Sequence, residues 1–81
     1  MITLRPVKTE KAIMKIEMEN LLTFRTDKKE TKTEIKKEVE SLFDIKVEKV
    51  RTQVRDNKKF AYVKLNKDSL AIDVATKLGL M

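Results

Sequence analysis

Between positions 49 and 59 the chain sets Lys49, Arg51, Arg55, Lys58 and Lys59 around a polar R-D-N-K-K run. A localised field of one sign is what a phosphate-binding surface requires. A second basic group, Arg5, Lys8 and Lys11, surrounds Thr9, a residue suited to cap a helix whose free N–H groups also favour anions. Sequence spacing leaves open whether the two groups share a surface. Phe60 and Tyr62, alternating with Lys59 and Lys64, offer ring faces on which bases stack between cations. No RNP-type motif accompanies them, and a sheet covered on both faces would bury the rings instead.

The rest of the inventory argues against catalysis. The chain has neither histidine nor cysteine, which removes the usual acid–base group, the thiolate nucleophile and the commonest metal ligands. With Gly79 as the single glycine, no glycine-rich phosphate loop can form. Most carboxylates stand within four residues of a lysine, as Glu34 and Glu38 do, the pattern of solvated ion pairs. The expectation is a binding protein that is not an enzyme, with no metal, no cofactor and no small-molecule substrate.

Length and composition bound the remainder. Eighty-one residues suit a single domain, 1–81, with one modest core. No run of 18 apolar residues and no signal-peptide pattern occur, so a soluble, intracellular protein without a membrane partner is expected. Residues 45–66 hold seven cations and two acids, and therefore five of the six net positive charges. The imbalance belongs to one hairpin.

The elements that must position these residues follow from periodicity. Ile2 to Arg5 reads as a short edge strand stopped by Pro6. A helix over Thr9–Glu19 has Ala12, Ile13 and Ile16 at helical spacing, Met14 and Met18 widening the apolar stripe, and Asn20 at its left-handed end. Leu21–Thr26 is a strand, with D-K-K-E after it as a turn. Thr31 and Glu34 form a capping box for a helix that buries Ile35, Val39, Leu42 and Phe43 and turns Lys37, Glu40, Glu34 and Ser41 outward. In I-K-V-E-K-V-R-T-Q-V the alternation slips near Glu48 and Lys49, by a bulge or by cover on both faces. Asn57 suits a positive φ in the turn, and the return strand puts Ala61, Val63 and Leu65 on one face. The last helix starts near Asp68 or Ser69, buries Ala71, Ile72, Ala75 and Leu78, and stops at Gly79–Leu80. The fold class is α+β: a small, mostly antiparallel sheet of three to four strands in the order β-α-β-α-β-β-α, with helices on both faces. A right-handed crossover through the second helix would run Leu21–Thr26 parallel to one hairpin strand.

Four stretches, PVKTEKA (6–12), NLLTFRTDKKETKTEIKKEVESLFDIKVEKVRT (20–52), KKFAYVKL (58–65) and AIDVATKLGL (71–80), resemble in that order the large-subunit ribosomal protein L-twenty-three family. The resemblance implies a cytoplasmic, ribosomal protein that binds large-subunit rRNA beside the exit of the nascent-peptide tunnel, among neighbouring large-subunit proteins. It implies RNA contacts by Lys8, Thr9 and Lys11 from the T-E-K motif and by Lys49, Arg51, Thr52, Lys58 and Lys59 from the hairpin. Arg5 and Arg55 are added on charge alone. The family's outer surface is where signal recognition particle and nascent-chain chaperones dock, and Glu10 and Phe43 occupy positions of that patch. An equally good account makes Glu10 a first-turn acid favoured by the helix dipole and Phe43 a core residue. Bacterial members carry a long basic hairpin loop, which R-D-N-K-K is too short to be. Eukaryotic members carry a long basic N-terminal extension, also missing, so the archaeal type is the expected match.

Overall fold

A computed structural model describes residues 4–27 and 29–79. Its elements are β1 (Arg5–Pro6), α1 (Glu10–Glu19), β2 (Leu21–Thr26), α2 (Lys32–Phe43), β3 (Val47–Arg55), β4 (Lys58–Leu65) and α3 (Ala71–Lys77). The strands form one sheet, β1-β2-β4-β3, with every neighbouring pair antiparallel. β2 and β3 therefore run in the same direction with β4 between them, as the crossover through α2 anticipates. Of the expected first strand, Ile2 and Thr3 lie outside the described residues, and Pro6 pairs with Phe24 at the sheet's edge.

Both long helices begin as their residue types dictate. Thr9 Oγ1 accepts the Ala12 N–H at 3.2 Å, and Asn20 ends α1 at φ 54°. Thr31 Oγ1 accepts the Glu34 N–H at 3.2 Å, while Glu34 Oε1 accepts the Thr31 N–H at 3.2 Å and the Thr31 hydroxyl at 2.9 Å. These bonds hold the Glu34 carboxyl below its ordinary value, the side-chain bond having the larger effect. The hairpin turn has two left-handed residues, Asp56 at φ 51° and Asn57 at φ 64°, the two-residue connection that matches strand twist.

The slip in β3 is a bulge. Val47 pairs with Leu65 and Lys49 with Lys64, so Glu48 has no partner. The extra residue lets Val47 and Val50, three apart, both enter the core, and it sends Lys49, Arg51, Gln53 and Arg55 to the opposite face.

α2 covers the face of Leu22, Phe24, Ala61, Val63 and Leu65 with Ile35 and Val39. α1 lies against β2 on the other face, where Thr23 is nearly buried and Lys15 stands over Tyr62. α3 packs on α1 and β2, adding Ala71, Val74 and Ala75 to the core.

Several expectations are corrected by what does or does not lie against a helix. Met14 and Met18 are 51% and 78% exposed, because only the Ala12 and Ile16 side of α1 meets the core. Leu42 is 59% exposed: the chain reverses at Asp44, φ 52°, and Phe43 and Ile45 fill the space beneath the last turn. Glu40 is half-buried, not outward, since its Oε2 accepts the Val47 N–H at 3.0 Å and tethers the start of β3 to α2. α3 starts at Ala71, later than expected, and Ile72 is exposed while Val74 takes its place, because Val74 shares one helical face with Ala71, Ala75 and Leu78 and Ile72 does not.

That late start has a distant cause. Neither Asp68 nor Ser69 caps α3; the N-cap is Leu70, which offers no side-chain acceptor. Asn66 holds the preceding turn, its carbonyl accepting the Ser69 N–H at 2.9 Å and its Oδ1 the Asp68 N–H at 3.1 Å. The cap comes from Asn20: its Oδ1 accepts the Ala71 N–H at 2.6 Å, and its Nδ2 donates to the Ser69 carbonyl at 2.8 Å. Gly79 sits at φ 76° as a helix stop, while Leu80 lies outside the described residues.

Asn20→Ala should cost about 3 kcal/mol in urea unfolding, about 1 kcal/mol for each short bond and about 1 kcal/mol for the left-handed backbone. Asn20→Gly keeps the backbone and should cost about 2 kcal/mol; a Gly variant as stable as wild type would remove the bonds from the account. Because the Glu34 carboxyl is lowered by folding, its contribution is present above the ordinary carboxylate range and fades as pH falls through the lowered folded value. The melting-temperature gap between wild type and Thr31→Ala should accordingly narrow on acidification, and a gap constant with pH would contradict this.

Candidate nucleic-acid interface

The parity set by the bulge lays the outward residues in cross-strand rows. Arg5, Arg25, Phe60 and Gln53 stand opposite one another across all four strands, and Thr23, Tyr62 and Arg51 form the adjacent row. Leu21, Lys64 and Lys49 form the next. α1 covers the β2 side of this face and leaves the β4–β3 side open.

Between them lies a cleft of about 420 Å³. From the α1 side Thr9, Lys11 and Lys15 line it, and from the sheet Arg51, Arg55, Gln53, Phe60 and Tyr62. The cleft thus joins residues from both basic groups, which sequence spacing could not connect. Among its lining residues are four cations, Lys11, Lys15, Arg51 and Arg55, against one acid, Glu19. Tyr62 is fixed on both sides: Lys15 Nζ lies 5.0 Å from the ring centroid, and the hydroxyl donates to Gln53 Oε1 at 3.1 Å. Phe60 and Tyr62 are half-buried, because α1 stops short of them, so the expectation of fully covered rings is corrected.

The other expected RNA contacts distribute unevenly. Lys49 and Lys58 are exposed on the same face as Arg51 and Arg55, Lys58 directly opposite Arg55. Arg5 is exposed at the far edge of that face, and Lys8 is exposed in the segment leading to α1. Thr52 and Lys59 face the other way. Thr52 is half-buried opposite Ala61, and Lys59, also half-buried, donates from Nζ to the Glu30 carbonyl and adds its charge to the environment of Glu34. Lys15 and Gln53 line the cleft, and Arg25 stands in the outward row beside it, without having been singled out. Lys15 stands one helical turn from Lys11, and Arg25 and Gln53 lie at outward strand positions, so alternation and helical spacing were the available signals.

Glu10 is exposed in the first turn of α1, and Phe43 is half-buried, packing on the core from the end of α2. The two helices lie on opposite faces of the sheet, so the fold does not gather Glu10 and Phe43 on one face. A second, more open hollow of about 590 Å³ lies between the end of α1 and the approach to α3, where Met18, Leu70 and Ile72 mix with Glu17, Glu19, Lys64 and Lys67. Among the described residues no cluster of carboxylates is arranged to hold a metal ion.

The family model described as Ribosomal protein L23 matches residues 1–69. A protein of Trypanosoma brucei brucei named large ribosomal subunit protein uL23 is 46% identical over 77 residues, which cover 94% of this chain and 47% of that protein. The chain spans about half the length of that relative. On the extent of the family match and this identity, the chain belongs to the Ribosomal protein L23 family.

Proposed function

We propose that the chain is a non-catalytic structural constituent of the large ribosomal subunit, in the cytoplasm, and that its open sheet face is laid against large-subunit rRNA beside the nascent-peptide tunnel exit. One observation carries the RNA contact: Thr9 and Lys11 of the helix start and Arg51 and Arg55 of the hairpin line the same cleft. Cations from separate elements that converge on one concave surface neutralise neighbouring phosphates together, and the N-terminus of α1 adds its partial positive charge. Lys8, Lys49 and Lys58 extend that surface along the backbone of the RNA, with Arg5 at its far edge. Lys59 and Thr52 act as structural supports behind it.

A docking role on the opposite side rests on a different observation. Leu42 is exposed beside the half-buried Phe43, which leaves an apolar step at the end of α2. Neighbouring large-subunit proteins, signal recognition particle and nascent-chain chaperones are the proposed occupants there; Glu10, on the α1 face, lies outside that step. An adaptor without RNA binding is the competing account.

The experiment is binding to large-subunit rRNA across a potassium chloride series. Arg51→Glu with Arg55→Glu should reduce the magnitude of the log affinity against log salt slope by about 1.4 to 1.8, at about 0.7 to 0.9 for each phosphate contact. Lys59→Ala should leave the slope alone and lower the melting temperature. A wild-type slope in the double arginine variant would sink the interface; an altered slope with unchanged stability in Lys59→Ala would put Lys59 on the RNA instead. For the docking side, ribosomes carrying Leu42→Ala should bind signal recognition particle several-fold more weakly while the protein keeps its rRNA affinity. Unchanged particle binding would exclude Leu42 from the patch.

A further inference from the structure

Resting on the phosphate-binding reading of the same face, we propose that the cleft between α1 and the β4–β3 hairpin receives one unpaired base of an RNA strand, so that the protein reads a bulged or looped nucleotide and not a regular duplex.

Three observations converge on a ligand with a flat π-face, a polar edge and anions on either side. The first is the pair of rings. Phe60 and Tyr62 stand two residues apart on the same sheet face, half-exposed at the cleft, and Tyr62 is held in place by Lys15 and Gln53. An aromatic ring that is fixed and open on one side is a stacking platform for any base. The second is an unsatisfied donor. Thr23, 8% exposed, is among the residues lining the cleft, and its Oγ1 has no hydrogen-bond partner. Buried hydroxyls are ordinarily paired, and a base edge entering the cleft that Thr23 lines would supply the partner. The Gln53 amide, across β4 from Thr23, offers a further polar contact. The third is the charge around the opening: Lys11, Arg51 and Arg55 surround the rings, where the phosphates on either side of an extruded nucleotide would lie.

The concave shape excludes a duplex from the same role. In a regular A-form helix the base faces are covered by their neighbours and the deep groove is closed to side chains, so no ring surface is presented to Phe60 and Tyr62. A volume of about 420 Å³ falls within the range of small-ligand sites, about 300 to 1,000 Å³, as one inserted nucleotide requires.

The test uses the intact chain and two synthetic RNA hairpins that differ only in one unpaired 2-aminopurine nucleotide in the stem. The bulged hairpin should bind about tenfold more tightly than the fully paired one, as expected for one base stacked on aromatic side chains, and its fluorescence should be quenched on binding. Tyr62→Leu and Phe60→Leu, each checked for an unchanged circular dichroism spectrum, should abolish that preference and the quenching while the salt slope persists. Equal binding of the two hairpins with a normal salt slope overturns the base site and leaves the phosphate surface standing. Loss of salt dependence for both hairpins removes the phosphate surface and the base site with it. Because the hairpin comparison is made on the wild-type protein, a leucine variant that failed to fold would not obscure the result.

Discussion

Strand parity is the constraint on which the remaining structure rests. In β3, four of nine residues are charged, and the only way to bury valines from this strand is to separate them cleanly from the cations. Side chains alternate with a strict period of two, so a shift of one residue would carry Lys49, Arg51 and Arg55 into the core and expel Val50. The unpaired Glu48 absorbs the mismatch between Val47 and the rest of the strand. Core formation and the charged face are therefore consequences of the same inserted residue. The Glu40 carboxylate, by accepting the Val47 N–H, anchors the strand immediately before this irregularity.

Asn20 plays the corresponding part at the other end of the sheet. Its left-handed backbone turns α1 into β2, and its amide reaches the carbonyls of Leu65, Asn66 and Ser69 as well as the first N–H of α3. One side chain thus bonds backbone groups from three successive pieces of chain, among them the Ala71 N–H, a donor that α3 leaves without an intrahelical partner. Since α1 forms one wall of the cleft and its end is fixed to the β4 terminus, the distance between Lys15 and Tyr62 is set by the same junction.

What the sequence made legible, and what it did not, divides along the range of the interaction. The capping box of α2, the left-handed ends at Asn20 and Asn57 and the alternation of β4 depend on residues a few positions apart, and each stands where spacing puts it. The α3 cap spans 51 positions, and no local pattern could contain it. Met14, Met18 and Leu42 show a second limit. Helical spacing identifies which residues share a face, but whether another element lies over that face is a tertiary fact. In the interface, the two basic groups were readable as compositions, whereas their meeting required the pairing of β2 with β4. Adjacent residues of a strand point to opposite faces, so Lys58 and Lys59 could never both belong to it. Arg25 was hidden for the opposite reason: in its own segment it is a lone cation, and only the row it forms with Arg5, Phe60 and Gln53 gives it company.

The position of β3 at the margin of the sheet gives its basic side chains another task. Nine residues long and, among the described residues, paired with β4 alone, it leaves main-chain groups beyond Val47 open along its outer side, and Val54 is 60% exposed there. An unguarded margin of that length invites a second copy to add its own strand, the first step of self-aggregation. Mutual repulsion among Lys49, Arg51 and Arg55 opposes that encounter, so these side chains act as gatekeepers of the margin. Neutral replacements there would sacrifice solubility along with charge.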